Sequence, residues 1–94
     1  MPLTITITDR AMSGTLTAHT AHPAGDGWEV SWLPGRILDR NAATTAMMLA
    51  ETVAAAPQSW NPRQRLIANW AAELGVEPET AVTLASVPPD DTAG

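Results

Sequence analysis

Cysteine, lysine, phenylalanine and tyrosine are all missing from this chain of 94 residues. Without cysteine there is no disulfide framework, no thiolate metal site and no cysteine nucleophile. Without lysine, the basic side chains are five arginines, set against ten acidic residues for a net charge of −5. A chain of that sign is repelled by phosphate polyanions at long range, which disfavours nonspecific binding to nucleic acid or to an anionic membrane. Long apolar runs are lacking as well. None approaches the roughly 18 residues that cross a bilayer, and the opening "MPLTITIT" has neither a basic segment nor an unbroken apolar stretch of the kind an export signal uses. The expectation is a soluble, non-exported protein.

What is present suffices for one core. A chain of this size buries only about 60–65% of its unfolded surface, and its large apolar residues run as far as Val87. Residues 1–87 are therefore expected to form a single domain. The polar, proline-led "PPDDTAG" at 88–94 is expected to be a disordered tail.

The first third alternates with period two. In "LTITIT", Leu3, Ile5 and Ile7 share one face, the pattern of a half-buried strand. "TLTAHTAH" (15–22) reads as a weaker strand with Leu16 and Ala18 on its better face. "WEVSWL" (28–33) is the clearest, with Trp28, Val30 and Trp32 together. The breaks are "DRAMSG" (9–14) and "HPAGDG" (22–27), both with turn chemistry, and the simplest arrangement is a three-stranded antiparallel meander.

After Leu33 the period changes. Pro34-Gly35 suits the centre of a type II turn, since proline presets φ and glycine accepts the positive φ that follows. Asp39 can cap a helix running to about Ala56. Its apolar stripe is Ala42, Ala46, Leu49, Ala50 and Val53, flanked by Ala43, Met47 and Ala54, which leaves Arg40, Thr44, Met48, Glu51 and Ala55 on the outer side. Asn61 with Pro62 starts a second helix, in which Leu66, Ile67, Trp70, Ala71 and Leu74 form a stripe and Gly75 supplies the stop. A third helix spans about Pro78 to Ser86. The fold class is α+β, in the order β-β-β-α-α-α, with the tryptophan face of the sheet against helices.

"AAELGVEPETAVTLAS" (71–86) has the outline of a helix-turn-helix. Ala71 and Leu84 fall where that motif places core residues about the turn glycine, Gly75. The positions that would enter a major groove are Glu77, Pro78, Glu79, Val82 and Thr83. Recognition helices need donors for guanine and phosphate, and here two carboxylates occupy the front edge. A DNA-binding regulator using residues 66–86, with Arg63, Arg65 and Thr83 as its contacts, is the alternative reading. The plainer one is a helix corner stapled by Val76.

Other chemistry is thinly represented. His19 and His22 stand three apart, so in a strand they point to opposite faces and cannot share one ion; two surface imidazoles beside a turn is the expectation, with no metal. Serines 13, 31, 59 and 86 lie in no Gly-x-Ser-x-Gly elbow, and "GDG" at 25–27 is too short to cradle phosphate and suits a hairpin tip. No catalytic residue and no cofactor is implied.

Tryptophan is the exception to the scarcity of aromatics, with four in the chain. Trp28, Trp32 and Trp70 lie on apolar stripes, as core residues do. Trp60 sits between two helices with no stripe to turn it inward, and Met48 falls on the outer side of the first helix. With Arg36 and Arg40 near the turn, these are residue types enriched at protein interfaces. Arg36, Arg40, Met48 and Trp60 are therefore the candidate partner-binding residues. A three-stranded sheet also has two open edges, and the first strand carries little to protect one, which predicts a homodimer.

"WEVSWLPGRILDRNAATTAMMLAE" (28–51) resembles a segment of small uncharacterised proteins of actinobacteria and their phages. In these a tryptophan-rich strand runs into Leu-Pro-Gly-Arg, an Arg-Asn pair, and a helix with Thr-Ala-Met and Leu-Ala-Glu. The likeness extends at most over Trp28 to Ser86. It implies an actinobacterial or phage origin and brings no activity with it. Together these features predict a noncatalytic accessory protein that binds another protein, a host factor if its source is a phage.

Overall fold

The computed structural model describes residues 5–8, 10–14, 16–55 and 61–87, the side chains of 61–63 excepted. Its elements are β1 (Ile5–Ile7), β2 (Met12–Gly14), β3 (Thr20–Ala24), β4 (Gly27–Val30), α1 (Arg40–Ala55), α2 (Asn61–Leu74) and α3 (Pro78–Ser86). The α+β class and the order of sheet then helices match the expectation, with four strands in place of three. The sheet is an antiparallel meander in the order β1-β2-β3-β4.

The additional strand comes from "DRAMSG", which the sequence assigns to a break. The Thr8 hydroxyl accepts the N–H groups of Arg10 and Ala11, and Thr8 N–H donates to Ala11 O at 2.8 Å. That side-chain turn completes the reversal by Ala11 and frees Met12–Gly14 to pair with β1, Met12 opposite Ile7. Met12 is fully buried.

The expected strand over 15–22 is corrected in turn. Only its end is strand, from Thr20, and Leu16 is exposed. The segment before Thr20 satisfies its backbone through side chains instead: Leu16 and Thr17 donate to Glu51, and His19 N–H donates to the Thr17 hydroxyl. β4 also stops earlier than "WEVSWL" suggests. After Val30 the chain turns, and Trp32 reaches the core from that turn, its indole N–H donating to Ala46 O at 3.1 Å.

The helical half follows its local signals closely. Leu33 O accepts from Arg36 N–H, and Gly35 has φ 82°, as the Pro-Gly turn requires. Asp39 Oδ1 accepts Ala42 N–H at 2.7 Å and caps α1. At the end of α2, Gly75 takes φ 72°, its N–H donates to Ala72 O, and Val76 N–H donates to Ala71 O. That pair of bonds is a Schellman stop, and Val76 packs on the core as its apolar contact. Pro78 then opens α3 at a position where no N–H is needed.

Helix α1 is the middle layer. It touches the sheet on one side and α2 and α3 on the other, while among the described residues neither α2 nor α3 packs on a strand. Its buried set is accordingly wider than one stripe: Ala43, Ala46, Met47, Leu49 and Ala50 are joined by Glu51 and Thr52. Placing Glu51 on the outer side is therefore corrected. The 88–94 tail and Trp60 lie outside the described residues.

Candidate protein-binding surface

Of the four residues singled out for partner binding, Trp60 lies outside the described residues, and the other three do not form one cluster. Arg36 is exposed, yet its guanidinium reaches α2 and donates to Leu74 O at 2.8 Å. It thereby satisfies a terminal carbonyl at the negative end of that helix. Arg40 is exposed at the first position of α1, and Met48, two turns later, is half-buried. Thr44 between them donates to Arg40 O at 2.9 Å and lies 3.7 Å from Met12 Sδ, so this stripe borders β2. Arg36 thus faces α2, and the Arg40–Met48 stripe runs along the sheet.

The residue that composition and periodicity missed is Ile37. It is 55% exposed, although it sits in a turn between Arg36 and Arg40 that is tied to β4 and α2. Gly35 N–H donates to Glu29 Oε2 at 3.0 Å, and Leu38 exchanges both backbone bonds with Trp28 at 2.7 Å. Gly27 is tightly placed beneath the turn: a Cβ there would come within 2.8 Å of Ile37 Cγ2 and collide with Leu38 O. A signal existed in the single apolar residue of "GRILDR" that precedes the buried Leu38. Alternation gives it to the outer face.

The alternative DNA contacts are placed as follows. Arg65 and Thr83 are exposed, and the Arg63 side chain lies outside the described residues. Thr83 donates to Glu79 O within its own helix. Glu77, Pro78 and Glu79 are all exposed at the start of α3, and Leu84, a core position of a helix-turn-helix, is 40% exposed.

His19 overturns the expectation of two surface imidazoles. It is buried, its Nδ1 lies 2.8 Å from Ser31 Oγ, and its Nε2 makes no hydrogen bond of good geometry, although the Val87 and Ala85 carbonyls are near enough to act on the ring. Burial pushes its pKa below the usual histidine value, while the carbonyls of Val87 and Ala85 at the end of α3 pull the other way. It borders an open cleft of about 280 Å³ with Thr17, Val53, Ala85 and Ser86. His22 is on the surface, 3.6 Å from Glu29 Oε1. Among the described residues no three histidine or acidic side chains are grouped to hold a metal ion, and no helix is long and apolar enough to cross a membrane. The chain matches no protein-family model, no curated protein and no solved structure.

Proposed function

We propose that this chain is a noncatalytic accessory protein that binds another protein, with the turn at residues 34–40 as its contact surface. The supporting observation is Ile37, a large aliphatic side chain more than half exposed on a turn held by backbone bonds to β4 and by the Arg36 side chain to α2. A rigid apolar anchor costs little ordering entropy when it is covered, which favours it as an interface centre. Arg40 beside it supplies the charge-assisted hydrogen bonds typical of an interface rim. In a phage setting the partner would be a host factor, and the expected setting is the cytoplasm.

The helix-turn-helix alternative has the shape of α2 and α3 on its side. Against it stand Glu77 and Glu79 at the exposed front of α3, where phosphate contacts need positive charge.

Capture from an actinobacterial lysate tests the reading, with the double variant Ile37→Asp/Arg40→Glu as control. Arg36 is left intact because it caps α2. A protein retained by the natural chain and reduced at least about tenfold by the variant, a loss near 1.4 kcal/mol, is the expected result. Identical retention by both chains refutes the surface. Retardation of DNA at low salt by micromolar protein, abolished by Arg65→Ala, would favour the alternative.

A further inference from the structure

The two edges of the sheet are finished differently. On β4, Trp28 and Leu38 exchange both backbone bonds, and Leu33 N–H donates to Val30 O at 2.9 Å. The returning chain therefore occupies that edge. On β1, the Thr8 N–H bond to Ala11 O makes Thr8–Ala11 a hydrogen-bonded pair. Pair type alternates along an antiparallel ladder, so Thr6 bonds Ser13 while Ile5 and Ile7 direct their N–H and C=O groups away from β2. Among the described residues no strand lies on that side.

We propose that β1 is the seam of a homodimer, two copies pairing antiparallel about a two-fold axis at Thr6. Ile5 of each copy then stands opposite Ile7 of the other, and the two four-stranded sheets become one of eight strands. Several observations select a second copy as the occupant. A two-fold at Thr6 sets the outward donors and acceptors of Ile5 and Ile7 against those of the second copy, giving four seam bonds, and because Ile5-Thr6-Ile7 reads the same in both directions isoleucine meets isoleucine across it. Ile5 and Ile7 lie on the face of Met12, toward the helices, and Ile7 is 38% exposed there; pairing lays it against Ile5 of the second copy. The strand bears no charge, so two chains of net charge −5 meet without like charges at the seam. It also lacks the lysine, proline or bulge that protects a natural edge, and a two-fold dimer is closed and self-limiting. This proposal is independent of the Ile37 surface.

So short a seam falls at the low end of interface sizes, below about 1,200 Å², and the dimer forms in the micromolar range. Sedimentation from about 5 to 500 µM, a span chosen for such weak interfaces, should show a rise from 9.9 kDa toward twice that mass. Register is tested by Thr6→Cys. The two-fold brings the two Thr6 side chains together in a non-hydrogen-bonded pair, with Cβ atoms about 4.5–5.5 Å apart. In a chain with no other cysteine, mild oxidation should cross-link it rapidly, and Ser13→Cys, one strand inward on the same face, should not. Ile7→Pro removes a seam donor and no bond within the chain, so it should stay monomeric with the circular dichroism of the natural protein. Ile7→Lys should do the same if proline disturbs the strand. A natural chain that remains at 9.9 kDa throughout overturns the proposal, even if it captures an extended peptide. Equal cross-linking of the two cysteine variants, or dimerisation of both Ile7 variants, overturns it equally.

Discussion

Glu51 and His19 are both buried, ionisable and engaged with the segment between β2 and β3, but their polar atoms are satisfied to different degrees. Glu51, on α1, accepts Leu16 N–H with both oxygens at 3.0 Å and Thr17 N–H at 2.9 Å. It supplies the acceptors that a neighbouring strand would otherwise provide. His19, at the end of that segment, has one ring nitrogen against Ser31 Oγ and the other buried without a hydrogen bond of good geometry. A buried acceptor matched to backbone donors organises a loop, whereas burial of the His19 imidazole lowers its pKa and ties stability to its protonation. The comparison separates a structural carboxylate from a pH-sensitive imidazole only a few residues from its anchor points.

The largest expected effect is loss of the carboxylate. Glu51→Ala leaves the Leu16 and Thr17 N–H groups, among the described residues, without their acceptor and opens a void in the middle layer, at about 3 kcal/mol. Glu51→Gln keeps one acceptor oxygen and should lose about half as much. Urea denaturation measures both, and a loss under about 1 kcal/mol for the alanine variant would show that water replaces the carboxylate. Gly14→Ala attacks the same clamp from β2. The added Cβ would collide with Glu51 Oε1 and come within 2.7 Å of Thr17 Cγ2. An expected loss of about 2 kcal/mol, typical of forced repacking, should shrink in the Glu51→Ala background, because the clash with Glu51 is gone and only the one with Thr17 remains.

These contacts also explain what was legible in the sequence. The helices were, because their signals are local: Asp39 three residues from the N–H it caps, Gly75 at the stop of α2, and Pro78 at the first position of α3. The "LPGR" turn was legible for the same reason. The second strand was not, because Met12–Gly14 is only three residues long and its reversal rests on the Thr8 hydroxyl. The alternation of Leu16 and Ala18 mimicked a strand where Glu51, 35 residues from Leu16, does the bonding. One signal did point to its burial. A helix whose apolar residues extend nearly all round, with Glu51 as its only acid, is a buried helix. Of the candidate surface, the arginines were legible as exposed. The tie from Arg36 to Leu74 and the prominence of Ile37 depend on how α2 and β4 meet the turn.

The next effect is the pH dependence that His19 brings. Its pKa is lowered in the folded chain, chiefly by burial, so the unfolded state takes up a proton first as pH falls. Stability is complete above about 6.5, the unfolded value, declines as pH falls below it, and levels off once the folded imidazole is itself protonated. His19→Gln should flatten this component between about pH 7 and pH 5 relative to the natural chain. Denaturation midpoints across that range, with an NMR titration of the His19 ring, check the sign. A His19 midpoint above 6.5 would mean that the carbonyls of Val87 and Ala85 outweigh burial.

The smallest effect tests whether unsatisfied polarity alone destabilises this core, apart from charge. Thr52 follows Glu51 on α1, is fully buried, and its hydroxyl has no hydrogen-bond partner. Thr52→Val preserves the branched shape and deletes a polar atom that folding strips of water without replacement. The natural threonine is then the less stable of the two, and the variant should gain about 0.5–1 kcal/mol, since replacing an unpaired buried group by an apolar one of the same shape is neutral or stabilising. A gain combined with the large Glu51→Ala loss would establish that adjacent buried polar residues on one helix have opposite signs according to their partners. A loss would place the Thr52 hydroxyl with Glu51, in the set of polar groups the core requires.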